Sequence, residues 1–469
     1  MNSIAVQEKI QKLKSLLSKE YPMVLDIVQS LNASGGRALL VGGAVRDLLL
    51  NVSIKDLDIE VYGIPLHQLE VILQNFGHVR LVGKQFGVLR IDYLDIDWSM
   101  PRQDGQGRKP EVIVDPHMSL KKAFSRRDLT MNAMGIDLVT YELIDPFNGW
   151  RDMQQCLLKA PDEERFIEDP LRFFRVMQFI ARFNMKPDMQ LQQLCKVMDI
   201  KDVSSDRIYQ EFEKLLLRSQ APSLGMRWIK ELGRLQEILP ELYATIGVQQ
   251  DAEWHPEGDV FEHTMQALDA AVEESKMHNL KSDEQLILCL AALCHDLGKP
   301  STTSIINGRV RALEHDVKGV IIARRLLERI IHKNNIVETV LKLVRYHMMP
   351  GQLTSQKSGL AAYKRLAQKL FPHTTMAMLA LIARADKRAR NPEKQEPLKD
   401  QTVVDIDLFL ERSQEAGVLE RPEEPVLTGK DLVELIEPGP KMGKILAHAY
   451  EIQIDHGIID KEELKRRVL

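Results

Sequence analysis

Residues 56–61 read DLDIEV, alternating acidic and apolar, so an extended strand puts Asp56, Asp58 and Glu60 on one face and Leu57, Ile59 and Val61 on the other. Carboxylates two residues apart on a strand share hard cations through oxygen ligands. Two Mg²⁺ ions held this way clamp the attacking and leaving oxygens of an in-line phosphoryl displacement. Alone, the pattern more often describes a solvated strand edge. Upstream, LLVGGAVRD carries an apolar strand through Gly42 and Gly43 into a helix. Glycines at such a turn let backbone N–H groups approach phosphate oxygens beside the positive end of the helix. A turn that merely needs positive φ is the plainer explanation, but with the acidic strand following it the phosphate reading is the better one. Arg46 then faces a polyphosphate and Asp47 holds the turn, with an ion pair between these neighbours as the alternative.

In FIEDPLRFFRVMQFIARF the expected helix has Asp169 as N-cap and Pro170 at its first position, followed by a long apolar stripe. Arg172, three residues after Asp169, points to the same side. An acceptor beside a forked donor has a further use. Cytosine and adenine share an exocyclic amino donor next to a ring-nitrogen acceptor, whereas uracil and guanine present the reverse, so one Asp/Arg pair accepts the first two bases and rejects the others. A third constellation lies on apolar helices: DVFEHTMQALDAA carries His263, LILCLAALCHDLGKP ends in His295 and Asp296, and ALIARADKRAR carries Asp386. A lone buried histidine is more often a satisfied core residue. Four ionisable groups on apolar helices need partners, and one divalent cation satisfies all of them.

The elements that must position these groups differ along the chain. Residues 36–145 alternate short apolar runs with glycine and turn signals, as in GRALLVGG and FGVLRIDYLDIDWSM, with helical stretches AVRDLLL and PLHQLEVILQNFG between them, which predicts a mixed α/β domain. From about residue 162 the periodicity is helical almost throughout. Stretches 386–399 and 421–426 carry linker signals. The 469 residues exceed one typical domain, and 44% hydrophobic with 28% charged residues describes an ordinary globular chain. A formal net charge of −4 excludes a global polyanion-binding character, so any such site is local. The longest apolar run, nine residues at 286–294, is too short for a membrane span, and the charged first 35 residues lack a signal-peptide core; both favour a cytoplasmic protein without membrane partners. Four scattered cysteines, Cys156, Cys195, Cys289 and Cys294, are expected to be reduced core residues.

LLVGGAVRDLLL with KDLDIEV resembles the first motif of the nucleotidyltransferase superfamily, and of its class II CCA-adding enzymes, the bacterial tRNA nucleotidyltransferases with their poly(A) polymerase relatives. The resemblance covers nearly the whole chain. It implies that Asp56 and Asp58 bind catalytic Mg²⁺, with a third acid, Asp97, from YLDIDWSMPR. Gly42, Gly43 and Arg46 fall in the nucleotide-binding turn. AFSRRDLTMNAM is similar to the RRD motif, so Arg127 and Asp128 are expected at the triphosphate and ribose, with Asn132 nearby. The basic run Lys121, Lys122, Arg126 and Arg127 otherwise reads as a solvated face. EDPLR resembles the EDxxR motif that templates CTP and ATP. That role falls to Asp169 and Arg172, supported by Glu168 and Arg175. Arg207 and Glu211 match a helical neck motif. The H, HD, D order and WHPEGDVFEHT resemble the HD phosphohydrolase domain appended to some of these enzymes, implying a divalent metal on His263, His295, Asp296 and Asp386. His255, Lys299, His315, Asp316 and His347 are outer candidates, His315 and His347 for a second metal.

The resulting expectation is an α+β protein: a helical extension at 1–35, a nucleotidyltransferase head with a mixed sheet at 36–150, a helical neck and body at 151–250, an HD domain at 251–400 and a helical tail at 401–469. Its partners are tRNA, CTP and ATP. Its activity is template-independent CCA addition with pyrophosphate release, joined by metal-dependent hydrolysis of 2′,3′-cyclic phosphates and phosphate esters. The alternatives are a poly(A) polymerase, a CC-only or A-only enzyme, or an HD hydrolase with a noncatalytic head. The segment PRQDGQGRKPEV stands where the resemblance places a loop present in full CCA enzymes, although it lacks the aromatic common there.

Overall fold

The computed structural model describes residues 4–54, 56–82, 87–104, 112–331, 333–400 and 402–469. Most of the loop just named, residues 105–111, lies outside the described residues. The chain forms two compact units, Met1–Val203 and Ser204–Leu469.

In the first unit, α1 (Ile4–Glu20) and α2 (Pro22–Ala33) lead into β1 (Arg37–Val41). Each helix buries one face, Val6, Leu13 and Leu17 on α1 and Val24, Ile27, Val28 and Leu31 on α2, at the spacing of a single helical stripe. Then come α3 (Gly43–Leu49), β2 (Leu57–Tyr62), α4 (Leu66–Gln74), β3 (Val79–Val82), β4 (Val88–Ile91) and β5 (Leu94–Ser99). The sheet runs in the order β3-β4-β5-β2-β1, continued by the short strands Gly135–Asp137 and Leu143–Ile144. It is mixed: β2 is antiparallel to β1 and parallel to β5, as expected for the head. β3 is a strand that the sequence patterning did not mark.

β2 lies inside the sheet, between β5 and β1, with Leu57, Ile59 and Val61 buried, so its acidic face belongs to an interior strand and not to a sheet edge. At the end of β1, Gly42 sits at φ 71°, ψ −130° as the residue preceding α3, a conformation that disfavours any side chain. Near the end of this unit the helix Leu171–Phe183 packs Phe173, Phe174, Val176, Met177 and Phe179 inward, followed by the helix Met189–Val197.

The second unit is helical. Its core packs Val260–Met277, Ser282–Cys294, His315–Ile330, Asn334–Tyr346 and Met376–Arg388. After its polar first turn, Ser282–Cys294 is apolar all round because it is central, with Leu288 to Cys294 all buried. One hairpin interrupts the helices, Thr303–Ile306 with Arg309–Ala312. The helical reading of this region missed it, although the signal was present: Asn307-Gly308 turns the chain at φ 52° and 76°, the left-handed pair that two-residue hairpins prefer. The stretch after Arg388, expected as a linker, is tied down: the Gln266 side chain donates to Asn391 O (3.0 Å) and accepts from Asn391 N (3.0 Å). Leu427, Leu432, Met442, Ala449 and Leu464 form a small separate core in the C-terminal helices. Among the described residues no helix is long and apolar enough to cross a membrane. The cysteines are all free, and three are buried; Cys156, expected in the core, is exposed.

Candidate active sites

Strand register brings the first acids together. β2 and β5 run parallel with Asp58 opposite Asp97, so carboxylates distant in sequence become neighbours. Burial then grades the β2 face: Asp56 is exposed just before the strand, Asp58 is half-buried and Glu60 is 1% exposed. Burial raises the Asp58 pKa, Arg127 opposes the shift, and the charges of Asp97 and Asp56 add to it. Crowded oxygens of one sign are the donor set a hard cation takes. Arg90 offsets part of this charge, reaching Asp95 at 2.9 Å and Asp97 at 2.6 Å.

Glu60 differs from its two partners. Its carboxylate accepts from Tyr62 Oη (3.0 Å) and from Arg127 Nη2 (3.2 Å), which locks Arg127 under the turn at Gly42. A Cβ on Gly42 would lie 2.6 Å from Arg127 Nη1, so the glycine is required for this approach as well as for its φ.

A relay of polar groups joins this turn to the helix Leu171–Phe183. Arg46, expected to face a polyphosphate, is buried; it donates to Asp47 (2.8 Å) and Asn132 Oδ1 (2.6 Å) and lies over the rings of Phe179 and Phe183. Asn132 Nδ2 donates to Asp128 (2.8 Å), which also accepts from Arg175 Nε at 2.6 Å. Burial alone would raise the Asp128 pKa, but Arg175 and the bonds from Asn132, Arg175 and Leu129 N bring it down to about 2. Arg172 donates Nη1 to Arg165 O (2.7 Å) and Nη2 to Arg126 O, which fixes the plane of its guanidinium. Pro170, where Asp169 was expected, is the residue preceding the helix, and Asp169 Oδ1 accepts from Leu171 N at 3.2 Å. Lys121 and Lys122 line a separate basic cleft of about 820 Å³ with Arg151 and Lys159.

The second unit gathers the histidines and aspartates. His263 Nε2 lies 3.2 Å from His295 Nε2, 3.0 Å from Asp386 and 3.6 Å from Asp296. His295 Nε2 lies 3.2 Å from Asp296 Oδ2. On the other oxygen of Asp296, His315 Nε2 lies 3.4 Å away and faces His347 Nε2 at 3.3 Å. Asp296 therefore stands between two groups, one with His263 and His295 and one with His315 and His347. His295, His315 and His347 each donate Nδ1–H to a backbone carbonyl three residues earlier, at 2.8 Å. Their Nε2 atoms are then lone-pair acceptors directed into the cluster, an arrangement that a cation held between them satisfies. Asp296 points the same way, its buried carboxylate set between His295 at 3.2 Å on Oδ2 and His315 at 3.4 Å on Oδ1. The donor set thus fits divalent metal, with imidazole nitrogen and carboxylate oxygen.

Glu257 was not marked in the sequence. Its Oε1 holds His263 Nδ1 at 2.6 Å and His255 Nδ1 at 3.0 Å, orienting the first ligand histidine. Burial would raise its pKa, but the two histidines lower it to about 2. The residue lies two positions after His255 in WHPEG, and only the folded loop brings it under His263. Burial lowers His255 and His347 to about 4. Lys299 reaches Asp296 Oδ2 at 2.6 Å. Asp316 does not join the cluster: although next to His315, it pairs with Arg345 on the neighbouring helix. Glu211 is buried in its helix and pairs with Lys214 at 2.7 Å.

Three protein families match successive parts of the chain. The Poly A polymerase head domain family matches residues 38–159, the family described as "Probable RNA and SrmB- binding site of polymerase A" matches 188–245, and the HD domain family matches 260–409. The Multifunctional CCA protein of Pasteurella multocida (strain Pm70) is 34% identical over 364 residues, 75% of this chain and 83% of that one. The protein of the same name from Burkholderia cenocepacia (strain HI2424) is 30% identical over 399 residues, 81% and 92% of the two chains. A CCA-adding enzyme in complex with CTP shares the fold at TM-score 0.65 and 18% identity, covering 99% of this chain and 97% of that one. The Thermotoga maritima CCA-adding enzyme complexed with tRNA shares it at TM-score 0.59 and 18% identity, with 97% of each chain covered. With head, RNA-binding and HD segments in this order, the chain belongs to the family of the multifunctional CCA proteins.

Proposed function

We propose that the protein adds C, C and A to the 3′ end of tRNA from CTP and ATP without a nucleic-acid template, releasing pyrophosphate. The observation that carries the reading is the pairing of Asp58 with Asp97 across parallel strands beside the Gly42 turn, in a chain whose relatives are multifunctional CCA proteins. Asp56, Asp58 and Asp97 would hold Mg²⁺. Bound there, it supplies charge neutralisation at the α-phosphate and acidifies the attacking 3′-hydroxyl. The protein's own groups do the rest. The Gly42 turn leaves room for phosphate beside Arg127, whose guanidinium Glu60 holds in place. Arg46 acts by position, carrying the turn to Asn132, Asp128 and Arg175 instead of touching phosphate itself. Asp128, ionised at any working pH, accepts hydrogen bonds from ribose hydroxyls. Asp169 and Arg172 present an acceptor and an oriented donor to the base edge, matching cytosine and adenine and opposing uracil and guanine. Two of the five guanidinium N–H donors of Arg172 are committed to carbonyls, so it is held in orientation with donors remaining.

The HD unit adds hydrolysis of phosphate esters, including 2′,3′-cyclic phosphates at damaged RNA ends. His263, His295, Asp296 and Asp386 would hold one divalent ion, and Asp296, His315 and His347 a second. A metal there supplies hydroxide at neutral pH. Hydrolysis and addition are separable: in His295→Ala, cyclic-phosphate hydrolysis should disappear while nucleotide addition stays at the parent rate. No hydrolysis by the parent with any divalent metal removes the second activity.

A further inference from the structure

Trp254 has no part in the chemistry above, yet its placement is specific. Of the four tryptophans, Trp98 and Trp228 are buried and Trp150 is half-buried, whereas Trp254 is 57% exposed. It lines a cleft of about 650 Å³ whose other walls include Asp296, His315, Asp386, Arg311 and Arg390. The loop that carries it is braced by hydrogen bonds. Trp254 N and His255 N both donate to Asp251 O, at 3.0 and 2.8 Å. Arg309, from the hairpin, grips the Asp251 carboxylate with Nε at 2.8 Å and Nη2 at 3.1 Å. The next residue, His255, is fixed through Glu257, and its ring centre lies 4.8 Å from that of His263. A large indole is thus held open to solvent at the rim of the histidine cluster, one residue from a group that touches it. Folding gains little from an exposed ring, so its use lies in what enters the cleft.

The surrounding chemistry selects a ligand with a flat π face and phosphate. Val310, Leu313 and Met348 supply apolar wall. Arg311 is exposed on the cleft, and Arg390 approaches Asp386 at 3.7 Å with a buried Nε that has no hydrogen-bond partner among the described residues. We propose that Trp254 is a stacking platform for the base of the terminal nucleotide at an RNA 3′ end, with Arg311 taking the phosphate on its 5′ side. A nucleotide seated this way presents its ribose 2′,3′ edge to the cluster, and a base on the indole has left its own helix, so the centre accepts ends and not internal phosphodiesters. Aromatic side chains beside cations are the general device for holding unstacked bases.

This inference rests on the hydrolase reading of the HD unit, and the test separates the two. Full-length parent, Trp254→Ala and Trp254→Phe are titrated by calorimetry with adenosine 2′,3′-cyclic phosphate and with a base-free methyl riboside 2′,3′-cyclic phosphate, and kcat/KM is measured on both. Trp254→Ala should weaken binding of the adenosine compound roughly 5- to 150-fold, the range that base–aromatic stacking spans, and leave the base-free compound unchanged. Trp254→Phe should restore most of the affinity. Nucleotide binding should quench the indole emission of the parent and not that of Trp254→Phe. The platform is overturned if Trp254→Ala binds the adenosine compound as the parent does, if it loses both compounds equally, or if the parent binds neither. Binding by the parent without hydrolysis under any divalent metal would end the hydrolase reading and leave the platform standing.

Discussion

Glu60 and Asp58 share one face of one strand, and replacing each by its amide should have opposite consequences. In Glu60→Gln the side-chain shape is kept and Tyr62 retains an acceptor, but the amide now meets Arg127 Nη2, 3.2 Å away, with either an uncharged oxygen or a second donor. Glu60 is 1% exposed, so water cannot replace the lost partner there. A hydrogen bond to a charged group contributes about 1.5–3 kcal/mol. With the Arg127 side chain 20% exposed, water recovers part of that, which leaves about 2 kcal/mol. In a unit of some 200 residues this corresponds to a melting shift of roughly 4–8 °C. Scanning calorimetry should show that drop in the transition of the first unit, while Mg²⁺ dependence of CTP incorporation keeps its parent midpoint. Asp58→Asn should do the reverse. Burial and the like charges of Asp97 and Asp56 disfavour its ionised form, so removing the charge should leave the melting temperature equal or higher while incorporation is lost. The reasoning is refuted if Glu60→Gln melts with the parent, or if it shifts the Mg²⁺ midpoint as a ligand would.

Three further outcomes are expected. Glu257→Gln should weaken metal binding by the HD unit about 10- to 100-fold, as loss of a histidine-orienting carboxylate does, read by metal content after dialysis against a chelator; full retention would remove Glu257 from the site. A Cβ on Gly298 would stand 2.0 Å from His315 O, so Gly298→Ala should separate the two backbones and cost the second unit more than about 3 kcal/mol; a parent-like urea midpoint for that unit would contradict this contact. Burial pushes the Asp269 pKa up to about 7 against the bonds from Ser223, so the fold favours its neutral acid. Its contribution is then fully present below about pH 4 and is lost as pH rises through about 7. Asp269→Asn should flatten the fall in stability of the second unit over that window, and urea unfolding at pH 5 and pH 8 with the parent's slope would count against it.

What the sequence made legible followed from periodicity and spacing. Period-two alternation put Asp56, Asp58 and Glu60 on one face, and the apolar stripes marked the helices that carry His263, His295 and Asp386. Alternation cannot say how deep a face runs, so it could not separate Glu60, an anchor for Arg127, from the two acids nearer solvent. Arg46 illustrates the same limit. Its neighbour Asp47 suggested an ion pair, but the partners that bury it, Asn132 and Phe179, lie 86 and 133 positions away and meet it only through the fold. Glu257 was hidden in a loop without period, and Asp316 was included because adjacency to His315 resembles proximity, whereas successive helical residues point apart. The hairpin at 303–312 was missed because a helical reading ran across an Asn-Gly turn that marked it.

The central claim is addition of a defined triplet by the acids of β2. The most direct measurement is a sequencing gel of a tRNA lacking its 3′ CCA, incubated with Mg²⁺ and CTP alone, ATP alone, or both, using parent protein and an Asp56→Ala/Asp58→Ala double variant that melts as the parent does. The parent should add two residues with CTP, stop after three with both nucleotides, and the double variant should add none. A long A tract with ATP, or incorporation retained by the double variant, would contradict it.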